Sequence, residues 1–154
     1  MNPCWKKLWK LPVTQRIRVF MWLVFSQCLL TNAERARRHL TTSNSCPLCH
    51  NGIENIEHVV RTCSKAQRIW EAIVDPTKIV FFSNLSFQEW LCQCFGADSD
   101  HQNSGTSWAI HSTVICWMLW KQRCNTIFGN TVLNDATLVR CSRQAEDSFY
   151  AAHQ

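Results

Sequence analysis

Four metal-ligating side chains fall within eighteen residues, Cys46, Cys49, His58 and Cys63, in the spacing C-x2-C-x8-H-x4-C. A chain with this array must bend tightly between the first two cysteines and then return a histidine and a third cysteine to the same point. The two-residue gap lets a turn bring both sulfurs onto one cation, and His58 and Cys63 close a tetrahedron from the following segment. Thiolate and imidazole ligands suit Zn2+. Four protein ligands leave no position for water, so the spacing predicts a structural zinc ion rather than a catalytic one. His50 offers a second imidazole, but it directly follows Cys49, from where a shared cation is sterically harder to reach.

Three rival readings of these residues carry less weight. Cys46-Pro47-Leu48-Cys49-His50 also spells the C-x-x-C-H pattern of covalent haem attachment. That chemistry needs export and an axial partner, and the residues from Met1 to Lys7 lead into no apolar stretch with a cleavage site. A redox C-x-x-C of thioredoxin type needs a preceding strand in a βαβ frame, whereas helical patterns precede it here. Cysteine is also a small buried hydrophobe in many intracellular proteins; four ligand types in order, with a knuckle-like pair, favour the metal.

The remaining sequence reads as mostly α. The 154 residues are 46% hydrophobic and include eight Trp, enough to bury a core, and only four Gly and four Pro, too few for a turn-rich β fold. Apolar residues at 13, 17, 20, 21, 24, 25 and 28 predict a core helix opening near Pro12. Thr31-Asn32-Ala33-Glu34 is a capping box that starts a second helix, ending near Leu40. A helical turn over 57–61 presents His58, and Ser64-Lys65-Ala66-Gln67 opens a helix that Asp75-Pro76 stops. Residues 77–85 are too short to classify by period and fit a short strand or a packed loop. Ser86-Phe87-Gln88-Glu89 caps a helix stopping at Gly96, 97–105 is a polar linker, and 106–128 is a helix apolar on more than one side. Asn134 caps a last helix over 135–150. The predicted organisation is a zinc-stapled helical domain over 1–75, a connector with a short helix over 76–105, and a Trp-rich helical segment over 106–154.

Charge divides the chain. Residues 1–70 hold 11 Lys and Arg against 3 Asp and Glu, a balance of +8, whereas residues 71–154 hold 5 against 8, a balance of −3. The excess favours a polyanionic partner for the first half, with Arg35, Arg37, Arg38, Arg61 and Arg68 as candidate phosphate contacts. No apolar run is long enough to span a bilayer. Ten cysteines without a secretory signal predict a reducing compartment, nucleus or cytoplasm. Nothing resembles a nucleophile elbow, a phosphate-cradling Gly-rich loop or an H-E-x-x-H helix, so no catalytic residue is nominated. Glu54 and Glu57 read as solvated acids or as acids supporting the metal ligands.

Several stretches together resemble a known family. They are Trp5 through Pro12, Ile17 through Leu23, Leu29-Leu30-Thr31, Cys46 through Cys49, Glu54 through His58, and Cys63 through Trp70. In order and with suitable gaps, they resemble the reverse-transcriptase zinc-binding domain of plant non-LTR (LINE-type) retrotransposons over about residues 4–74. The resemblance implies that Cys46, Cys49, His58 and Cys63 hold zinc. Trp117, Trp120, Arg123, Asn125 and Phe128 resemble the segment that follows this domain in such polyproteins, with Cys124 standing between an Arg and an Asn that are usually adjacent. In that parent architecture a polymerase domain precedes the region and an RNase H domain follows it; neither a Y-x-D-D motif nor an RNase H active site is found here. The expected function is a non-catalytic zinc-binding accessory module that assists binding of RNA or single-stranded DNA, with the polymerase or RNase H domains as partners. The alternative is a structural or protein-interaction module whose basic face is merely solvated.

Overall fold

The computed structural model describes residues 3–77, 79–96, 108–129 and 133–152. Among these residues the regular structure is helical: α1 (Pro3–Leu8), α2 (Gln15–Phe25), α3 (Asn32–Arg37), a π-helical turn (His58–Thr62), α4 (Ser64–Ile73), α5 (Ile79–Asn84), α6 (Phe87–Gly96), α7 (Trp108–Phe128) and α8 (Asp135–Ala152). The fold is mostly α. Extended pairing is limited, among the described residues, to one antiparallel bridge between Ser45 and Ile53.

Local chemistry sets the helix ends. Thr14, not Pro12, opens α2, its hydroxyl accepting from the Ile17 amide at 3.4 Å. Proline fixes its own φ but has no side-chain acceptor, so the first residue whose side chain can satisfy an orphan amide takes the start. Thr31 caps α3 through the Glu34 amide at 3.4 Å, yet the Glu34 carboxylate turns outward to Arg37 and Arg38 instead of closing the box. α3 stops after six residues, short of Leu40, where His39 takes a left-handed φ of 60° and the Leu40 amide donates back to the Arg35 carbonyl at 2.8 Å. The box at Ser86 and Glu89 is complete, at 3.0 and 3.2 Å in the two directions. Asn134 accepts from the Thr137 amide at 2.8 Å and starts α8.

Two elements depart from the sequence reading. Residues 79–84, expected as strand or loop, form α5. No partner strand lies among the described residues, and a helix satisfies its own amides where a lone strand leaves them unpaired. The N-terminal residues, given no element, begin with α1. The polar linker expected over 97–105 lies outside the described residues.

One apolar cluster runs from Leu8 to Leu138 and draws on nearly every element. Trp70 and Trp90 are fully buried and meet edge to face, ring centroids 5.5 Å apart, and the Trp70 indole donates to the Val60 carbonyl at 2.8 Å. Phe20 on α2 meets Trp117 on α7 at 5.2 Å. Cys94 and Cys116 are buried as small apolar side chains, their thiol pKa values raised by desolvation. The Ser112 hydroxyl donates to the Cys94 carbonyl at 3.2 Å, fastening α7 to α6.

An acid and a base are buried together in the core. Glu54, read from sequence as a solvated or metal-supporting acid, is 0% exposed and receives Arg123 in a two-pronged pair, Nε to Oε2 at 2.9 Å and Nη2 to Oε1 at 2.8 Å. The Asn32 amide adds a third bond to Oε1 at 2.6 Å, and the Arg123 guanidinium lies 4.8 Å from the Trp120 ring centroid. Removing one partner of such a pair strands the other charge in the core. Arg123→Ala should therefore destabilise the chain by about 3–5 kcal/mol. Glu54→Met combined with Arg123→Met should cost less than either single change, as read by urea denaturation.

Candidate metal centre

The ligands come from two adjoining structures. Residues 45–53 form a tight hairpin: the Cys46 amide donates to the Gly52 carbonyl at 3.1 Å, the His50 amide to the Cys46 carbonyl at 3.0 Å, and the Glu54 amide to the Asn44 carbonyl at 2.8 Å. The reversal uses two left-handed residues, His50 at φ 56° and Gly52 at φ 97°. At Gly52 a side chain would be strained, and the chain there passes close to the His58 ring. The hairpin sets the Cys46 and Cys49 sulfurs beside Cys63 and His58.

The other two ligands sit at the ends of the π-helical turn. The Cys63 amide donates to the His58 carbonyl at 2.8 Å, a five-residue closure wider than an α-turn. The wider turn brings residues five apart to nearly the same side, which an α-helix would rotate apart. Cys63 then takes the N-cap position of α4, its carbonyl accepting from the Gln67 amide at 2.8 Å. The helix thus starts at the ligand itself rather than at a capping Ser64.

The four donor atoms converge within 4.8 Å of one another. Cys46 Sγ lies 3.9 Å from Cys63 Sγ, and Cys49 Sγ lies 3.3 Å from His58 Nε2. A tetrahedral ion bound at about 2.3 Å by sulfur and about 2.0 Å by nitrogen sets sulfurs about 3.8 Å apart and sulfur and nitrogen about 3.5 Å apart. The residues fit such an ion. Cys46 and Cys63 are buried, Cys49 and His58 half-buried, and the exposed His50 lies outside the group.

The surroundings prepare these groups to bind a cation. The Leu48 amide reaches Cys46 Sγ and the Asn51 amide reaches Cys49 Sγ, each at 3.4 Å, so backbone dipoles point at sulfur. Cys46 and Cys63 share a sulfur–sulfur hydrogen bond. The hydrogen bond to Cys63, with burial, pushes the Cys46 thiol up to about 12. The same bond draws Cys63 down to about 7 against its desolvation. A bound cation replaces that shared proton.

His58 has an orienting contact that the sequence reading missed. Its Nδ1 lies 3.3 Å from Thr62 Oγ1, one turn on. With Nε2 on a metal ion, Nδ1 would carry the proton and donate to the hydroxyl, which would hold the tautomer that can ligate. The signal was present as a Thr four residues after a helical His.

The nominated arginines fall in different places. Arg35 is half-buried and donates to Asn32 Oδ1 at 3.0 Å. Arg37 and Arg38 are exposed, and both bind Glu34, at 2.5 and 2.8 Å, holding its carboxyl down to about 2. Arg68 pairs with Asp135 at 2.8 Å and Lys65 joins it at 3.3 Å. Arg61 departs from the expectation of a phosphate contact: it is 7% exposed, donates to the Ser83 and Leu85 carbonyls and lies 3.5 Å from Glu57. Its guanidinium holds the chain around α5 against the core.

Thr62→Val keeps the shape of the side chain and removes the hydroxyl from His58 Nδ1. Metal affinity should fall about tenfold, as read by competition with a chromogenic chelator.

Comparison with known proteins agrees with this geometry. The chain is 37% identical to a putative ribonuclease H protein of Arabidopsis thaliana over 147 residues, which are 95% of this chain and 23% of that relative. It thus spans about a quarter of the relative's length. No solved structure matches the chain. The family model described as zinc-binding in reverse transcriptase matches residues 1–70, a span that contains all four ligands. Residues 1–70 are thus similar to the reverse-transcriptase zinc-binding family.

Proposed function

We propose that the chain is a zinc-stapled, non-catalytic accessory module of a retrotransposon-derived reverse transcriptase, and that it holds RNA or single-stranded DNA for catalytic domains of a parent polyprotein. The observation that carries the reading is the closed set of four donors within 4.8 Å. With three thiolates and an imidazole on one ion, no coordination position is left for a water nucleophile. When bound, zinc supplies folding energy and no chemistry. Cys46 and Cys49 hold the hairpin, while His58 and Cys63 hold the turn into α4.

The nucleic-acid part of the reading rests on the +8 balance of residues 1–70. Phosphate contacts supply sequence-independent affinity, which suits a module that must follow any template or nascent strand. The relative's name mentions ribonuclease H, and proteins of that architecture give this module polymerase and RNase H domains as neighbours. A nuclear or cytoplasmic setting follows from reduced thiols and a nucleic-acid partner. No helix among the described residues is long and apolar enough to cross a membrane.

Two measurements test the reading. Freshly purified protein should carry one equivalent of zinc by elemental analysis. His58→Ala and Cys63→Ala should each lose it with local unfolding, and chelation of the wild type should do the same. Affinity for RNA or single-stranded DNA should fall steeply between about 50 and 200 mM salt. Absence of binding at low salt would remove the nucleic-acid role and leave the structural one.

A further inference from the structure

The charge that matters for a polyanion is the charge not already paired. Glu34 holds Arg37 and Arg38 and Asp135 holds Lys65 and Arg68, each carboxylate offsetting one of its two cations, and Arg61 is buried. In a different stretch three cations stay outside any ion pair among the described residues. Residues 1–33 contain Lys6, Lys7, Lys10, Arg16 and Arg18 and no acid at all, Glu34 being the first. Lys6, Lys10 and Arg16 are exposed, and none of them is in an ion pair with any described residue.

The same stretch exposes large apolar side chains. Trp9 is 41%, Val19 43% and Trp22 38% exposed. α2 buries Ile17, Phe20, Met21 and Val24 against the core, which leaves Arg16, Val19 and Trp22 at three-residue steps along its outer side. Trp9 and Lys10 lie in the connector from α1. The Arg18 guanidinium fastens that connector to α2 by donating to the Leu11 carbonyl from Nε at 3.1 Å and from Nη2 at 2.9 Å. Trp22 is one helical turn beyond Arg18.

Exposed indoles set among unpaired cations, with no acid nearby in sequence, suit a ligand that offers both aromatic faces and negative charge. Single-stranded polynucleotide has both: its bases stack on aromatic rings and its phosphates meet the cations. Duplex keeps its bases stacked internally and offers only the phosphates. We propose that the α1–α2 corner is the single-strand contact surface, with phosphates at Lys6, Lys10 and Arg16 and bases stacked on Trp9 and Trp22. This assignment rests on the nucleic-acid reading above and specifies where that contact is made.

The test uses the full zinc-loaded chain with fluorescein-labelled oligouridylate, oligothymidylate and a duplex, followed by anisotropy across a salt series. The variant Lys6→Gln/Lys10→Gln/Arg16→Gln should bind either single strand at least tenfold more weakly. Its salt slope should be shallower by about 2, from roughly 0.7 per lost phosphate contact on a single strand. Trp9→Ala and Trp22→Ala should each weaken single-strand binding roughly fivefold or more and leave duplex binding little changed. Glu34→Gln/Arg37→Gln/Arg38→Gln, which removes the paired cluster on α3, should alter affinity by less than about twofold. Zinc content reports the folding of each variant, and the lysine and arginine set decides alone if a tryptophan variant fails to fold. The proposal is overturned if the wild type binds single strands while the Lys6, Lys10 and Arg16 variant keeps full affinity and slope. Loss of binding in the α3 set instead, or equal affinity for duplex, has the same consequence. Failure of the wild type to bind any probe at low salt overturns the broader nucleic-acid reading as well.

Discussion

The pair between Glu54 and Arg123 is the constraint on which the arrangement of the molecule turns. A carboxylate with no solvent contact is tolerated only when its acceptor sites are filled, and here Arg123 and the Asn32 amide fill them. The backbone around Glu54 is equally committed: its amide donates to the Asn44 carbonyl and its carbonyl accepts from the Ala33 amide. One side chain therefore ties the strand leaving the metal hairpin to the start of α3 and to the middle of α7. Asn32 extends the tie, donating to the Ser45 carbonyl at 2.8 Å beside the first ligand. Apolar contacts alone would hold these elements together, but they are non-directional and would not fix the hairpin's angle to the helices.

The candidate ligands and the ion pair act on the same short hairpin. The donor atoms of Cys46, Cys49, His58 and Cys63 bring it against the π-helical turn, while Glu54 anchors the residues that leave it. A segment this short has too little apolar surface to hold its shape by packing, so directional bonds take over. The π-helical closure between His58 and Cys63 fits the same logic, since a strict α-turn would carry one ligand away from the other. The family match ends at residue 70, whereas Arg123 lies far beyond it. The electrostatic frame of the matched segment is therefore completed from the segment that follows.

Paired and unpaired cations have different uses in this molecule. Glu34 engages Arg37 and Arg38 within α3, Asp135 engages Lys65 and Arg68 across α4 and α8, and Arg61 gives its guanidinium to backbone carbonyls. Net charge over residues 1–70 therefore overstates what a polyanion would meet at α3 and α4. It understates the contrast at α1 and α2, where exposed Lys6, Lys10 and Arg16 stand beside Trp9 and Trp22.

The sequence by itself determined the helical class, most helix starts and the four residues whose donor atoms converge, because each of these rests on short-range spacing. A C-x2-C turn, a cap three residues from its amide and a three-to-four-residue apolar period are properties of neighbours along the chain. Short-range rules failed where two local solutions compete: Thr14 rather than Pro12 opened α2, and residues 79–84 became a helix. The fate of the charges was decided only by tertiary structure. Whether Glu54 is solvated or buried depends on an arginine 69 residues away. Whether Arg61 and Arg68 face a ligand depends on carbonyls at Ser83 and Leu85 and a carboxylate at Asp135. Burial and ion pairing are set by which distant segments share a volume, and linear spacing carries no record of that.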